Sequence, residues 1–177
     1  GYGGLDVRLH GLGMQRGALF SLLDLARDGA GQLHAGTTID AVDTARGQLR
    51  DNEGRTHGPF DLVVAADGAA SSLRATIAGG AGLDRVYPWG ALWCLLPAGE
   101  WPHVQQLRQR YVAARKMIGL LPVGTRPGDD TPRLSFFWSL PRADFARWED
   151  EGMQPWLQEL HALWPEASAR FDHLHDA

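Results

Sequence analysis

The sequence predicts an α+β fold made of two parts that differ in character. Residues 1–80 combine helix and strand patterns, with a β-meander over residues 30–58, and have α/β character. Residues 84–177 predict a mixed or antiparallel sheet followed by helices. Three observations carry this prediction: a helical spacing of leucines before residue 28, short apolar runs separated by turn residues, and tryptophans that all lie beyond residue 88.

Length and composition limit the class of protein. A chain of 177 residues forms one domain or a pair of small ones. Its hydrophobic share of 44% and charged share of 21% are those of a globular protein that buries a core. A net charge of −4 argues against nucleic acid as the main partner, and no apolar run reaches the roughly 18 residues that span a bilayer. We therefore expect a soluble, cytoplasmic protein without nucleic-acid or membrane partners.

The first part begins with an alternating strand pattern at residues 5–10 and a helix at residues 18–27. One face of this helix, which we expect to face the core, carries Leu19, Leu22, Leu23 and Ala26. Strand patterns follow at residues 37–42, 47–50 and 59–66, with hairpin turns at 44–47 and 51–54. The run at 62–66 is apolar throughout, which predicts a central strand covered on both faces.

A glycine-rich linker at residues 78–82 precedes the second part. Strand patterns of this part lie at residues 91–96, 116–121 and 133–140. We place a loop between the last two at residues 124–131, where proline and glycine occur. Helical patterns fill the chain from residue 143, with Pro155 in the first turn of one helix and Pro165 just beyond its end.

One glycine-rich turn, with Gly11, Gly13 and Gly17, lies between the first strand pattern and the first helix. A dinucleotide-binding fold needs glycines there so that backbone amides reach a pyrophosphate. The spacing differs by one residue from the G-x-G-x-x-G pattern. This difference favours an ordinary turn and leaves nucleotide binding as the alternative.

A stronger pattern covers residues 61–74, where an apolar run leads into Asp67, Gly68, two serines and Arg74. An acid at the carboxyl end of a central strand lies where α/β sheets bind ligands, and Gly68 lets a backbone approach closely. The same acid is suited to cap a helix, so the spacing alone leaves both interpretations open. Arg16 lies in the first turn of the first helix, where a cation opposes the helix dipole unless an anion lies nearby.

Two further candidate sites are weaker. His173 and His175 have a spacing that suits metal ligands, but the sequence shows no third ligand, so we predict no metal site. Cys94 is the only cysteine, which excludes an intrachain disulfide. Its apolar strand indicates an inert core residue.

Three groups of residues together carry a family resemblance. They are the arginine-led helix start at residues 13–19 with Leu23, the D-G stretch at 61–74, and the strand segments at 85–90, 110–112 and 121–124. In these stretches the sequence resembles the FAD-dependent aromatic hydroxylases, flavoprotein monooxygenases similar to para-hydroxybenzoate hydroxylase. The resemblance implies that residues 1–80 are part of an FAD-binding domain and that residues 84–177 are most of a substrate domain.

This resemblance implies an enzyme that uses FAD, NAD(P)H and O₂ to hydroxylate an aromatic small molecule. The residues that it places at the cofactor are Arg16, Asp67, Gly68 and Arg74. By the same resemblance, Arg16 would neutralise phosphate charge, Asp67 would serve both FAD and NAD(P)H, and Arg74 would support that acid. Tyr111 and Trp93 would approach the substrate from the sheet. No catalytic side chain is assigned, and the full-length protein has room for a homodimer.

The family's opening G-x-G-x-x-G motif and its later G-D motif are absent from this sequence. We therefore expect an internal part of a longer enzyme, without a complete FAD site and inactive by itself. Residues 117–123 contain no arginine to hold a substrate carboxylate, which argues against a benzoate-type substrate. Two other functions stay open: a non-catalytic binding module in which Asp67 caps a helix, and a different nucleotide-binding oxidoreductase that uses the turn at 11–17.

Overall fold

The computed structural model describes residues 11–27, 29, 31–77 and 85–176, except for the side chains of residues 175 and 176. Two units divide the chain, one formed by Gly29–Val86 and the other by Gly1–Asp28 together with Tyr87–Ala177. The predicted strand at 5–10 and the predicted linker at 78–82 lie outside the described residues. Within the described ranges, no helix is long and apolar enough to cross a membrane.

The unit at 29–86 contains the predicted β-meander. Its elements are β1 (Ile39–Asp43), β2 (Gln48–Asp51), β3 (Thr56–His57) and the short helix α2 (Arg74–Ile77). The three strands pair in the order β1-β2-β3, and both neighbouring pairs are antiparallel. Both hairpin turns are confirmed, since residues 44–47 and 52–54 join consecutive strands.

Asp51 explains why the second hairpin turn forms where it does. Its side chain is fully buried, and one carboxylate oxygen accepts hydrogen bonds from the backbone N–H groups of Glu53 and Arg55, at 3.0 and 2.9 Å. The other oxygen accepts from the Arg55 guanidinium at 2.8 Å and lies 2.9 Å from the His57 ring. A buried carboxylate is tolerated when every oxygen is paired in this way, so this acid holds the turn together.

The prediction of a strand at residues 59–66 is wrong. These residues have no regular structure, and Leu62 and Val64 are 79% and 75% exposed. A central strand is held by hydrogen bonds to strands on both sides and by cover on both faces. Among the described residues no strand pairs with this segment, so its apolar sequence has no sheet to join.

The second unit is built on a four-stranded antiparallel sheet. Its strands are β4 (Trp89–Pro97), β5 (Arg108–Val112), β6 (Lys116–Arg126) and β7 (Asp129–Pro141). They pair in the order β4-β7-β6-β5. The antiparallel sheet and its three predicted strands are confirmed, although each strand is longer than its pattern indicated.

The predicted loop at 124–131 is too long. Arg126 pairs with Asp129, so β6 and β7 continue to a tight turn at Pro127 and Gly128. Gly128 has a φ of +80° there, a conformation that glycine adopts without strain. Asp129 holds the turn, because its carboxylate accepts a hydrogen bond from the Thr131 N–H and pairs with arginines on both strands.

Helices cover one face of this sheet. They are α3 (Phe145–Glu151), α4 (Met153–Leu163) and α5 (Ser168–Phe171), joined and followed by 3₁₀ turns at Arg142–Asp144, Pro165–Ala167 and Asp172–Asp176. Trp156 packs edge-to-face on Phe136 and Trp138, with ring centroids 5.8 and 6.2 Å apart. Pro155 and Pro165 lie at the two ends of α4 as predicted. The core therefore lies on one side of the sheet, and the opposite face stays open.

The helix α1 (Arg16–Arg27) belongs to this second unit and meets β6 at its start. The Gln15 side-chain amide donates a hydrogen bond to the Gly124 carbonyl at 3.2 Å. The expectation that the leucines of this helix face the core is wrong: Leu19, Leu22 and Leu23 are 47%, 54% and 62% exposed. Because only the start of α1 packs on β6, its apolar face stays exposed.

Candidate functional site

Asp67 and Gly68 lie in a turn that leads into α2. Asp67 is exposed, and its carboxylate makes no hydrogen bond or ion pair within the described part of the chain. Gly68 has a φ of +83°, and the space where a side chain would stand is open. An unpaired carboxylate beside an uncovered glycine backbone is suited to accept hydrogen bonds from hydroxyl groups of a ligand.

Arg74 supports this turn from the first residue of α2. Its guanidinium donates hydrogen bonds to the carbonyl oxygens of Gly68 and Ala69, at 3.2 and 2.7 Å. The helix itself is capped by Ser71, whose Oγ accepts from the Arg74 N–H at 3.1 Å. The interpretation of Asp67 as a helix cap is therefore wrong, because Ser71 performs that role. Asp67, Gly68 and Arg74 form one local constellation, which we call the D-G turn.

Arg16 lies in the other unit, as the exposed first residue of α1. The turn before it is closely packed: a side chain at Gly13 would overlap the Pro122 carbonyl oxygen of β6. The need for glycine at this position thus comes from packing on the sheet, which removes the sequence argument for a pyrophosphate turn at 11–17. The Arg16 guanidinium stays available at the helix start.

Trp93 on β4 and Tyr111 on β5 lie on the same, open face of the sheet. Trp93 pairs with Phe137, and Phe137 pairs with Gly119. Gly119 pairs with Gln109, two residues before Tyr111. Side chains alternate between the two faces of a sheet, so all five positions point away from the helices. Trp93 and Tyr111 are 64% and 60% exposed, and three strand spacings separate them, about 14 Å.

The middle of the open face depends on Gly119, which sequence reasoning did not single out. A side chain at this position would overlap the ring of Phe137, so the absence of one lets that ring lie down over the backbone of β6. Beside it, the Gln109 side-chain amide donates to the Met117 sulfur at 3.3 Å. The sequence contains no signal for Gly119, because its role depends on a ring that β7 places above it.

A cavity of about 510 Å³ lies on the opposite, helix-covered side of the sheet. Its walls include Trp138, Trp148 and Trp156, and an ion pair between Lys116 and Glu159 lies at its edge. None of the predicted site residues lines this cavity. The candidate substrate residues and this cavity are therefore on different faces.

The remaining candidates are inert in this fold. Cys94 is half-buried, and burial raises the pKa of its thiol to about 11, so it carries no reactive thiolate at neutral pH. Within the described ranges, no group of three or more His, Cys, Asp or Glu side chains is arranged to hold a metal ion. The side chain of His175 lies outside the described residues.

Comparison with known proteins adds one structural neighbour. No family model and no curated protein matches the chain. Among solved structures, the chain is similar to the crystal structure of pqsL, a probable FAD-dependent monooxygenase from Pseudomonas aeruginosa, with a TM-score of 0.52 and 26% sequence identity. The match covers 73% of this chain and 35% of that one, so this chain spans about a third of its neighbour's length. The α+β fold is confirmed, and the chain is similar over most of its residues to part of a probable FAD-dependent monooxygenase.

Proposed function

We propose that this chain is part of an FAD-dependent monooxygenase that uses NAD(P)H and O₂ to hydroxylate an aromatic small molecule. The observation that carries the proposal is the similarity in fold to a probable FAD-dependent monooxygenase over 73% of the chain. The D-G turn and the open aromatic face of the sheet supply the residues for cofactor and substrate.

The residues of the D-G turn fit a dinucleotide cofactor. The exposed Asp67 carboxylate is free to accept hydrogen bonds from ribose hydroxyls, and the open backbone at Gly68 allows close approach. Arg74 holds the turn that presents them. Separately, the Arg16 guanidinium at the start of α1 is suited to a flavin phosphate, since its donors match phosphate oxygens. FAD, when bound, supplies the redox chemistry, while the chain binds, orients and shields it from water.

The open face of the sheet fits an aromatic substrate. Trp93 and Phe137 offer ring surfaces, and Tyr111 adds a ring with a hydroxyl that both donates and accepts hydrogen bonds. In the proposed reaction these side chains position the substrate ring and exclude water, and they transfer no proton. This role agrees with the absence of an assigned catalytic side chain.

The two other functions have lost their supporting observations. A binding module with Asp67 as a helix cap is disfavoured because Ser71 caps α2. An oxidoreductase that binds a nucleotide at residues 11–17 is disfavoured because Gly13 serves the packing of that turn on β6.

The proposal is tested by replacing Asp67 in the protein expressed from its full gene. We expect Asp67→Ala to weaken FAD retention or NAD(P)H use by roughly 10- to 100-fold, which corresponds to losing charge-assisted hydrogen bonds of about 1.5–3 kcal/mol. FAD content is measured by flavin absorbance after gel filtration, and NAD(P)H oxidation by its absorbance decay.

Asp61→Ala is the matched control, because Asp61 is an equally exposed acid of the same segment. It should leave both readouts unchanged, and circular dichroism should show both variants folded. A folded Asp67→Ala protein with full FAD content and full NAD(P)H oxidation would contradict the proposal.

A further inference from the structure

We infer that the substrate is an uncharged, planar aromatic molecule, held by the open face of the sheet through its ring and not through a carboxylate. This inference rests on the proposed function and names the substrate class of that site. It follows from the register of the sheet, which sorts charged and aromatic side chains onto opposite faces.

The two arginines of β5 point to the helix-covered face. Arg108 pairs with Leu120 and Arg110 with Ile118, and both of these partners are buried in the core under the helices. The Arg110 guanidinium lies 5.0 Å from the centre of the Trp164 ring and 3.8 Å from the Glu166 carboxylate. Since side chains on paired positions share a face, neither arginine is available on the open face.

The other cations near these strands are engaged elsewhere. Lys116 is paired with Glu159 of α4, on the helix side. Arg126 and Arg133 both contact the Asp129 carboxylate at the β6–β7 turn, at 3.4 and 3.0 Å. Arg16 begins α1 close to β6, and the proposed function assigns it to a flavin phosphate. The strands themselves therefore present no free cation to a ligand on the open face.

The polar groups of the open face are few and mostly paired. Ser139 Oγ accepts the Met117 N–H at 3.1 Å, and the Gln109 amide donates to the Met117 sulfur. The hydroxyl of Tyr111 has no hydrogen-bond partner within the described part of the chain. A carboxylate brought onto this face would lose water without gaining a partner, which is costly. A neutral ring with one polar substituent would instead stack on the Phe137 and Trp93 rings and bond to Tyr111.

The test compares two ligands that differ by one carboxylate, naphthol and hydroxynaphthoate. Their dissociation constants are measured by fluorescence quenching on the FAD-loaded protein from the full gene. We expect naphthol to bind at least about tenfold more tightly. Ala91→Arg places a guanidinium on the open face, two residues from Trp93 at an exposed position, and should lower this preference about tenfold by supplying the missing partner. Ala146→Arg is the matched control, since it adds the same charge at an exposed position of α3, in the helix layer. It should leave the preference unchanged.

Three results would overturn the inference: hydroxynaphthoate binding as tightly as naphthol in the unaltered protein, neither ligand binding to it, or Ala91→Arg changing the preference no more than Ala146→Arg. Failure of the proposed function is seen separately, in the flavin absorbance of the same preparation. A protein without FAD that still prefers naphthol, and loses that preference with Ala91→Arg, would reject the flavin proposal and keep the inference about the open face.

Discussion

Gly119 shows how a single residue shapes the candidate substrate surface. It is buried in the middle of the sheet, and the ring of Phe137 occupies the space above it. Any larger residue would lift that ring away from the sheet, which would change the surface that a substrate meets. The same overlap makes Gly119 a determinant of stability.

We expect Gly119→Ala to destabilise the protein by about 1–3 kcal/mol, because the added methyl group overpacks a closely filled site. Urea unfolding measures the loss. Gly17→Ala is the control, since the position is helical with open space around it and should be neutral or slightly stabilising.

Phe137→Leu identifies the cause of the loss. In that background Gly119→Ala should cost less, because the ring that it displaces is gone. An equal loss in both backgrounds would mean that Phe137 does not cause the strain.

The β-meander depends on one buried acid. Hydrogen bonding from the Arg55 side chain is the main cause that holds the pKa of Asp51 below its ordinary value of 3.8, with His57 and two backbone N–H groups adding to it. A carboxyl whose pKa is lower in the folded state stabilises that state above the unfolded value. This contribution is lost as the pH falls from 3.8 towards the folded pKa.

We therefore expect the meander to lose stability progressively below pH 3.8, measured by amide hydrogen exchange of residues 48–57. Asp51→Asn should be less stable at neutral pH and should lose less on acidification. Asp40→Asn is the control on the same meander, because the Asp40–Arg50 ion pair is largely exposed and contributes little. Equal acid sensitivity of Asp51→Asn and the unaltered protein would show that another group governs the loss.

At the scale of the whole molecule, apolar surface is exposed in both units. It comprises the apolar face of α1 in one unit and the segment at 62–66 in the other. Large exposed apolar patches are uncommon in monomeric proteins and often mark surfaces that bind something. The chain also spans only 35% of the probable monooxygenase that it resembles in structure.

We expect the 177-residue chain, expressed by itself, to retain FAD at least about tenfold more weakly than the protein from the full gene. The reason is that the described residues offer phosphate and ribose partners in Arg16 and Asp67 but no surface that encloses an isoalloxazine ring. Equilibrium dialysis with FAD measures both affinities. Stoichiometric, tight FAD binding by the chain alone would refute this expectation.

The sequence by itself determined the local structure of this protein. Turn residues placed both hairpins of the meander, proline marked the two ends of α4, and the residues of the D-G turn lie together as neighbours in the chain. These features depend on backbone conformations and hydrogen bonds within a few residues, which a short window of sequence records. The open-face positions of Trp93 and Tyr111 required more, because they follow from pairing between strands distant in the chain.

Only the tertiary structure decided which face each strand residue occupies and which apolar segments find cover. The run at 62–66 has a strand sequence but no strand beside it, and the leucines of α1 have helical spacing but no core against them. Register likewise sends Arg110 to the helices and brings Phe137 over Gly119. Burial and strand pairing are properties of partners far apart in sequence, so a local pattern indicates the element but not the surface that it presents.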